Sequence, residues 1–228
     1  MVVGKGLLAS TFASYAEKDD VLIFASGVSN SKCIDDSEFE REFNLLEQYK
    51  GSDKLLVYFS TSSIEDPFLM ASLYIKHKLE IELYIKANFQ RYLIVRLPNV
   101  VGKTKNPNTL INFVHNCVQS EEKINIQLKA TRYLIDVDDI FSYLDKVIVN
   151  EAVLNKTVNL IIAKKISVLQ IVESFENYLG KKIEKEILPN AGGDYLLEID
   201  NIFNKNGIAD LVDGKEYLNN LIQKYYSD

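Results

Sequence analysis

The chain has 228 residues, 47% of them hydrophobic and 25% charged, which is typical of a soluble globular protein with one large domain or a domain and a smaller lobe. Its formal net charge is −6 and its pI is near 5.1, so a broad basic surface for nucleic acid is excluded. Two cysteines and two histidines, without partner ligands at suitable spacing, exclude a disulfide framework and a metal site.

No apolar run approaches the roughly 18–20 residues that are needed to cross a bilayer. A short apolar stretch near the N-terminus has some features of a signal peptide, but Thr11 and Ser14 interrupt it. We therefore expect a cytoplasmic protein with no membrane partner.

Strand-like and helix-like segments alternate along the chain. The predicted strands are residues 1–3, 21–25, 54–59, 92–97, 123–128 and 157–162. The predicted helices are one that follows a glycine turn and ends near residue 18, then 37–49, 70–87, 109–120, 138–149, 167–179 and 214–226. This alternation predicts an α/β protein with a doubly wound parallel sheet.

Ligands of such sheets lie beyond the carboxyl ends of the strands. Four features of the sequence directly follow predicted strands and are therefore expected at that edge: Gly4-Lys5-Gly6, Ser26-Gly27, Thr61 and Asn99. Their convergence on one edge predicts a binding site there.

Tyr74 and Lys78 are one turn apart on a predicted helix, so they share a face. An ammonium beside a phenol lowers the pKa of the phenol and prepares it to exchange a proton. Thr61, in the hydroxyl run that ends the preceding strand, can hold a substrate oxygen against that phenol. These residues predict proton transfer at a carbinol or carbonyl oxygen.

A second pair with the same spacing, Tyr178 and Lys182, provides an internal control. Gly180 interrupts the turn between them, and no hydroxyl-ended strand precedes them. A tyrosine and a lysine at this spacing therefore do not by themselves predict proton transfer. The helix and the hydroxyl-ended strand around Tyr74 are what make that prediction.

Six segments share their order with a known superfamily. They are Gly4–Ala9, Val21–Gly27, Val57–Ser62, Tyr74–Glu80, Val95–Gly102 and Arg132–Asp139. On these segments the chain resembles the extended short-chain dehydrogenase/reductase superfamily, in its branch of sugar-nucleotide epimerases, dehydratases and ketoreductases. The resemblance extends from Gly4 to about Tyr226.

The resemblance implies a role for particular residues. The catalytic residues would be Thr61, Tyr74 and Lys78. The cofactor, NAD or NADP, would contact Gly4, Lys5, Gly6, Leu7, Ala25, Ser26, Gly27, Tyr74, Lys78 and Pro98. The substrate would contact Ser62, Asn99 and Arg132, the last through its diphosphate. No metal is implied.

The chain departs from the family pattern in its first half. The first strand has three residues, and a strand–helix–strand segment that elsewhere builds the adenosine side of the pocket is missing. The usual acid on the ribose 2′-hydroxyl then has no counterpart. In an alternative register, residues 21–25 form the second strand, and Ser26, Ser29 and Lys32 meet the 2′-phosphate of NADP. A further departure is Asp136, at a position where histidine is common.

The resemblance implies a Rossmann-like domain, reduced in strand number, at residues 1–160, to which about 100–132 add part of a substrate lobe. Residues 161–228 would form a small C-terminal substrate lobe. It also implies a homodimer and a role in carbohydrate biosynthesis. The expected function is an NAD(P)-dependent reductase or epimerase acting on a nucleotide-linked sugar. The alternative is a non-catalytic relative that serves as a binding or interaction module.

Overall fold

The computed structural model describes residues 1–149, 154–189, 192–200 and 210–227. The chain divides into two compact units, each made of two stretches. The first unit contains Met1–Leu97 and Val137–Leu160, and the second contains Pro98–Asp136 and Ile161–Asp228. The assignment of the second unit to substrate binding stays a prediction.

The described strands are, in chain order, β1 Val2–Val3, β2 Val21–Phe24, β3 Leu55–Thr61, β4 Tyr92–Leu97, β5 Asn99–Val101, β6 Ile124–Gln127, β7 Thr131–Arg132, β8 Leu134–Asp136, β9 Lys156–Asn159, β10 Ile166–Ser167 and β11 Lys185–Leu188. The described α-helices are α1 Leu7–Thr11, α2 Asp36–Glu47, α3 Leu73–Asn88, α4 Leu110–Gln119, α5 Val137–Val149, α6 Val168–Leu179 and α7 Gly214–Tyr226. Short 3-10 helices lie at Ala13–Tyr15 and Ser62–Glu65.

The first unit is built on a five-stranded sheet in the order β1-β2-β3-β4-β9, and every pair in it is parallel. Its strands β2 and β3 are mainly apolar and buried throughout, because both faces are covered. On one face Phe12 packs against Phe59 of β3 and against Phe141 of α5, with ring centroids 5.5 Å and 5.3 Å apart. On the other face Leu46 of α2 and Ile81 of α3 join the core. The predicted doubly wound parallel sheet is confirmed.

The position of β1 decides between the two sequence registers. β1 lies at one end of the sheet and pairs only with β2, which in turn pairs with β3. If residues 21–25 formed the family's second strand, β1 would lie inside the sheet between β2 and the next strand. The alternative register is therefore wrong, and no strand lies beyond β1 among the described residues.

The predicted boundaries of β4 and α7 agree with the structure. Three others differ by three residues or more: the end of the first helix, the start of the helix that carries Tyr74, and the end of β9, which is Asn159 rather than residue 162. The first helix ends at Thr11, because the hydroxyls of Ser10 and Thr11 donate hydrogen bonds to the carbonyls of Gly6 and Leu7. The chain then tightens into a 3-10 turn. The helix that carries Tyr74 begins at Leu73, after residues 66–72 form turns.

Among its described residues, the second unit contains three small two-stranded sheets: β5 with β8, β6 with β11, and β7 with β10. Helix α6 begins with a capping box at Ser167 and Gln170, and it ends at Gly180 in the left-handed conformation with φ of 65°. Asp136 accepts hydrogen bonds from Lys224 at 2.6 Å and from Tyr225 at 2.5 Å, so it anchors α7 to β8. In the part of the chain that the structure describes, no helix is long and apolar enough to cross a membrane.

Candidate active site

The glycine turn after β1 lies directly against the end of β2. Gly4 has φ of 133°, and a Cβ at this position would lie 2.4 Å from the carbonyl oxygen of Ala25. Only glycine is compatible with this backbone and this approach. Gly6, by contrast, faces open space. Helix α1 begins at Leu7, directly after this glycine turn, and has five residues.

Gly27, after the end of β2, lies against two charged side chains. A Cβ at Gly27 would be 2.7 Å from the Nζ of Lys78 and 3.0 Å from the Oε1 of Glu42. Its neighbour Ser26 accepts hydrogen bonds from Arg41 of α2, at 3.1 Å to the carbonyl and 3.3 Å to the hydroxyl. Arg41 also lines a cavity of about 310 Å³ that opens beside Gly27.

The structure brings Thr61 and Tyr74 together. Thr61 is the last residue of β3, and its hydroxyl also accepts a hydrogen bond from the backbone of Ser63 at 3.2 Å. Tyr74 lies in the first turn of α3, and its phenol interacts with the Thr61 side chain, which works to lower the pKa of the phenol. Both side chains are buried. The Nζ of Lys78 lies 5.9 Å from the centre of the Tyr74 ring.

Lys78 is held by a carboxylate that the sequence reasoning missed. Its Nζ donates to Glu42 Oε1 and to the hydroxyl of Tyr58, each at 2.9 Å. Tyr58 in turn donates to the same Glu42 oxygen at 2.5 Å. The other oxygen, Oε2, accepts from the backbone N–H of Val28 at 2.6 Å and lies 3.0 Å from Nε2 of His77. We call Glu42, Tyr58, His77 and Lys78 the Glu42 cluster.

The Glu42 cluster is closed to solvent, since Glu42 is 0% and Lys78 2% exposed. Burial alone would raise the pKa of Glu42, but the charge of Lys78 and the hydrogen bonds of His77, Tyr58 and the Val28 N–H outweigh it and lower that pKa to about 2. The carboxylate therefore stays ionised and forms a buried ion pair with Lys78.

The pKa of Tyr74 moves in the direction opposite to the sequence prediction. Burial raises it, the interaction with the Thr61 side chain works to lower it, and the charge of Glu42 adds to the rise. The expectation of a lowered pKa is wrong, because burial raises the pKa of this phenol and is the largest influence on it. Tyr74 is accordingly a protonated phenol at neutral pH.

The sequence does carry a signal for Glu42. Phe39, Phe43 and Leu46 mark the inner side of α2, and Glu42 lies three residues after Phe39 and four before Leu46. A carboxylate on an apolar stripe requires a buried partner. Its partners come from distant strands and helices, so the sequence indicates that Glu42 has a buried partner but does not identify that partner.

A second, partly buried ionic group lies at the carboxyl ends of β4 and β9. Arg96 binds Glu82 with two nearly parallel hydrogen bonds of 2.9 and 2.8 Å, and Ser60 donates to the same carboxylate at 2.7 Å. Arg96 also contacts Glu65 at 3.2 Å, and Asn159 donates to Glu65 at 2.7 Å. This group ties the 3-10 helix after Thr61 to the sheet and so fixes the end of β3.

The remaining predicted site residues are placed as follows. In the first unit, Lys5 is exposed and Leu7, Ala25 and Ser26 are half-buried, while Ser62 is buried in the 3-10 helix. In the second unit, Pro98 precedes β5, and Asn99 in β5 donates to the carbonyl of Tyr133 at 3.0 Å. Arg132, also in the second unit, donates to the carbonyl of Thr131 at 2.7 Å.

Among residues 1–149, 154–189, 192–200 and 210–227, no group of three or more His, Cys, Asp or Glu side chains could hold a metal ion.

Solved structures with the same fold are sugar-nucleotide enzymes. UDP-glucose 4-epimerase from Thermus thermophilus, in complex with NAD, has a TM-score of 0.70 and 14% identity, covering 96% of this chain and 81% of that one. dTDP-4-dehydrorhamnose reductase from Bacillus anthracis str. Ames, in complex with NADP, has a TM-score of 0.72 and 16% identity, covering 95% and 84%. dTDP-glucose 4,6-dehydratase from the same organism, in complex with NAD, has a TM-score of 0.68 and 16% identity, covering 95% and 76%.

A search of curated proteins finds no match. The family model described as "NAD dependent epimerase/dehydratase family" matches residues 23–160, more than half of the chain. The match begins within β2 and includes β3, β4, the Glu42 cluster and the pair formed by Thr61 and Tyr74. The chain belongs to the NAD dependent epimerase/dehydratase family.

Proposed function

We propose that the chain is an NAD(P)-dependent reductase or epimerase that acts on a keto or hydroxyl carbon of a nucleotide-linked sugar. The observation that carries this proposal is the buried hydroxyl pair of Thr61 and Tyr74 at the carboxyl end of β3. This pair lies where ligands of parallel sheets bind, and it supplies the proton that a carbonyl needs when it becomes an alcohol.

The residues around the sheet edge fit part of the cofactor. Gly4 lies against Ala25, and the open space at Gly6 leaves room for a pyrophosphate. Gly27 and Lys78 are proposed contacts of the nicotinamide-side ribose. The adenosine side is less complete, because the described sheet ends at β1. We infer that pyrophosphate and nicotinamide contacts provide most of the affinity.

Each residue of the pair has a distinct task in this proposal. When bound, the nicotinamide supplies or accepts the hydride. Thr61 orients the substrate oxygen, and Tyr74 gives a proton to that oxygen during reduction or removes one during oxidation. Burial of both hydroxyls keeps bulk water away from the proton in transit. Ser62, Asn99 and Arg132 are proposed substrate contacts.

A second candidate function is a non-catalytic binding module. Two observations favour it: the sheet that ends at β1, and the burial of Lys78 within the Glu42 cluster. Both could weaken cofactor binding. The contact between Thr61 and Tyr74 favours the enzyme, because a scaffold alone does not require this pairing of hydroxyls.

Cofactor titration separates the two candidates. The chain contains no tryptophan, so the fluorescence of NADH and NADPH can be followed with little protein background. The enzyme proposal expects saturable binding of at least one of them. Absence of binding of both at millimolar concentration contradicts it and supports the module.

Substitution of Tyr74 then tests the chemistry. Tyr74→Phe is expected to retain cofactor affinity and to lower turnover of a nucleotide sugar by about 10²–10⁴-fold, the usual effect of losing a general acid or base. Tyr178→Phe is the matched control, because Tyr178 has the same spacing to a lysine but lies on α6 in the second unit. Equal turnover in both variants would reject the assigned role of Tyr74.

Assembly and cellular context remain proposals from the family resemblance. We propose a homodimer formed through α2 and α3, a cytoplasmic location and a role in carbohydrate biosynthesis. Sedimentation of the purified chain checks the first of these, and a monomer at all concentrations would contradict it.

A further inference from the structure

Glu42 combines features that a purely structural carboxylate does not need. It comes from α2, yet its partners come from three other elements: Tyr58 from β3, Lys78 from α3, and the Val28 N–H from the loop after β2. With His77 these supply four partners for the two oxygens, so the acceptor capacity of the carboxylate is filled. The position of its Oε1, and hence of Lys78, is tightly defined.

The geometry links this carboxylate to the proposed proton donor. Lys78 lies one turn after Tyr74 on α3, and its Nζ is 5.9 Å from the Tyr74 ring. An isolated ammonium at that distance favours the phenolate. Here the ammonium is 2.9 Å from Glu42 Oε1, so the pair presents little net charge to the phenol. The other groups around Tyr74 are neutral: the Thr61 hydroxyl, the Tyr58 phenol and an apolar wall.

We propose that Glu42 is a positioning residue of the active site: its buried carboxylate fixes Lys78 beneath the Gly27 backbone and balances its charge, so that Tyr74 begins the reaction as a proton donor. This inference rests on the proposed function. In reduction the carbonyl oxygen takes the proton of Tyr74 while its carbon takes a hydride from the reduced nicotinamide. The products are an alcohol and the phenolate of Tyr74, which regains a proton from solvent after release.

The inference deepens the proposed function by giving the reaction a preferred direction. A phenol that is protonated in the resting protein is ready to donate, whereas oxidation of an alcohol first requires its ionisation. The chain is therefore better prepared for reduction of a ketone than for oxidation of an alcohol at neutral pH. His77, 3.0 Å from Glu42, is the other titratable group that faces the carboxylate from α3.

The test follows the ionisation of Tyr74 without cofactor. Tyrosines are labelled with ¹³C at the ζ carbon, and the NMR signal of Tyr74 is assigned by its loss in Tyr74→Phe. The chemical shift of that signal is followed against pH, and the pH at the midpoint of the Tyr74 ionisation is measured. Glu42→Gln is expected to lower that midpoint by about 1–3 pH units, the usual effect of exposing a phenol to an unbalanced cation. Glu42→Asp, which retains the charge, is expected to keep the higher midpoint.

Glu176→Gln is the matched control. Glu176 is also a fully buried carboxylate, with Lys182, Lys185 and the Ile183 N–H as partners, but it belongs to the second unit. Its loss is expected to lower stability and to leave the Tyr74 midpoint in place. An unmoved midpoint in folded Glu42→Gln, or an equal shift in Glu176→Gln, overturns the inference.

A second variant covers the case in which Glu42→Gln does not fold. Replacing both partners of a buried ion pair with apolar side chains is often tolerated, so Glu42→Met with Lys78→Met is expected to fold. If the two charges balance, its Tyr74 midpoint stays within about one pH unit of the parent. A larger shift, or failure to fold, overturns the inference. Because the titration omits cofactor, it is independent of the cofactor binding that tests the proposed function.

Discussion

The close contact at Gly27 allows a prediction that is worked directly from the structure. In Gly27→Ala the added methyl carbon would lie 2.7 Å from Lys78 Nζ and 3.0 Å from Glu42 Oε1, both inside normal van der Waals separation. The ammonium is at the end of a flexible chain, but it is buried and hydrogen-bonded on two sides. It can move only by breaking those bonds. Overpacking of this kind costs about 1–3 kcal/mol.

For a chain of this length, 1 kcal/mol lowers the melting temperature by about 2–4 °C, so Gly27→Ala is expected to melt about 2–12 °C lower. Gly6→Ala is the matched control, since Gly6 has φ of −84° and a Cβ there meets no atom within 4 Å. Its stability is expected to change by less than about 0.5 kcal/mol. Calorimetry or circular dichroism measures both. Equal melting temperatures for Gly27→Ala and the parent would refute the contact between Gly27 and Lys78.

Three further predictions concern charge and cofactor. Because the pKa of Glu42 is about 2 in the folded chain against an ordinary 4.5, its ionisation contributes about 3 kcal/mol that is present above pH 4.5 and lost as the pH falls toward 2. Urea unfolding should therefore show the stability difference between the parent and Glu42→Gln shrinking over that range, and a constant difference would contradict the reasoning. Arg96→Met removes the partner that makes two hydrogen bonds to the buried Glu82, and it is expected to lower the free energy of unfolding by about 3 kcal/mol. Lys86→Ala removes an exposed partner of Glu82 that lies 3.8 Å away, and it should lower the free energy of unfolding by less than about 0.5 kcal/mol. Similar losses for the two variants in urea unfolding would argue against this account. NADH and NADPH should bind within about tenfold of each other in the fluorescence titration, since the sheet ends at β1, and a strong preference for NADPH would instead indicate contacts to its 2′-phosphate.

Local sequence patterns predicted the elements well where the signals were continuous. The run Tyr92–Leu97 is apolar and stops at Pro98, and α7 begins after Asp213, which caps it by accepting from the N–H groups of Lys215 and Glu216. Both boundaries were predicted correctly. The short strands of the second unit, such as β7 with two residues, carry too few side chains to produce a recognisable period.

The pairing of Thr61 with Tyr74 was predictable for a topological reason. A hydroxyl at the end of a parallel strand and a phenol in the first turn of the following helix are brought to the same edge by the strand–helix connection. The charge balance of Lys78 was not predictable in this way. Its partner Glu42 lies 36 positions earlier in the chain, on a helix whose rotation about its axis is set by packing.

The division of each unit into two stretches has a consequence for engineering the protein. Sheet neighbours β4 and β9 are joined through a hydrogen bond between Tyr92 and Asn155, which are 63 residues apart, and residues of the second unit occupy most of that interval. The polypeptide passes from one unit to the other three times. No single cut therefore releases either unit as an uninterrupted fragment, and a truncation after residue 160 would deprive β6 of β11 and β8 of α7. Deletion mapping by expression of fragments is therefore poorly suited to this protein. Point substitutions are the appropriate way to distinguish residues that stabilise the fold from residues that act in the site.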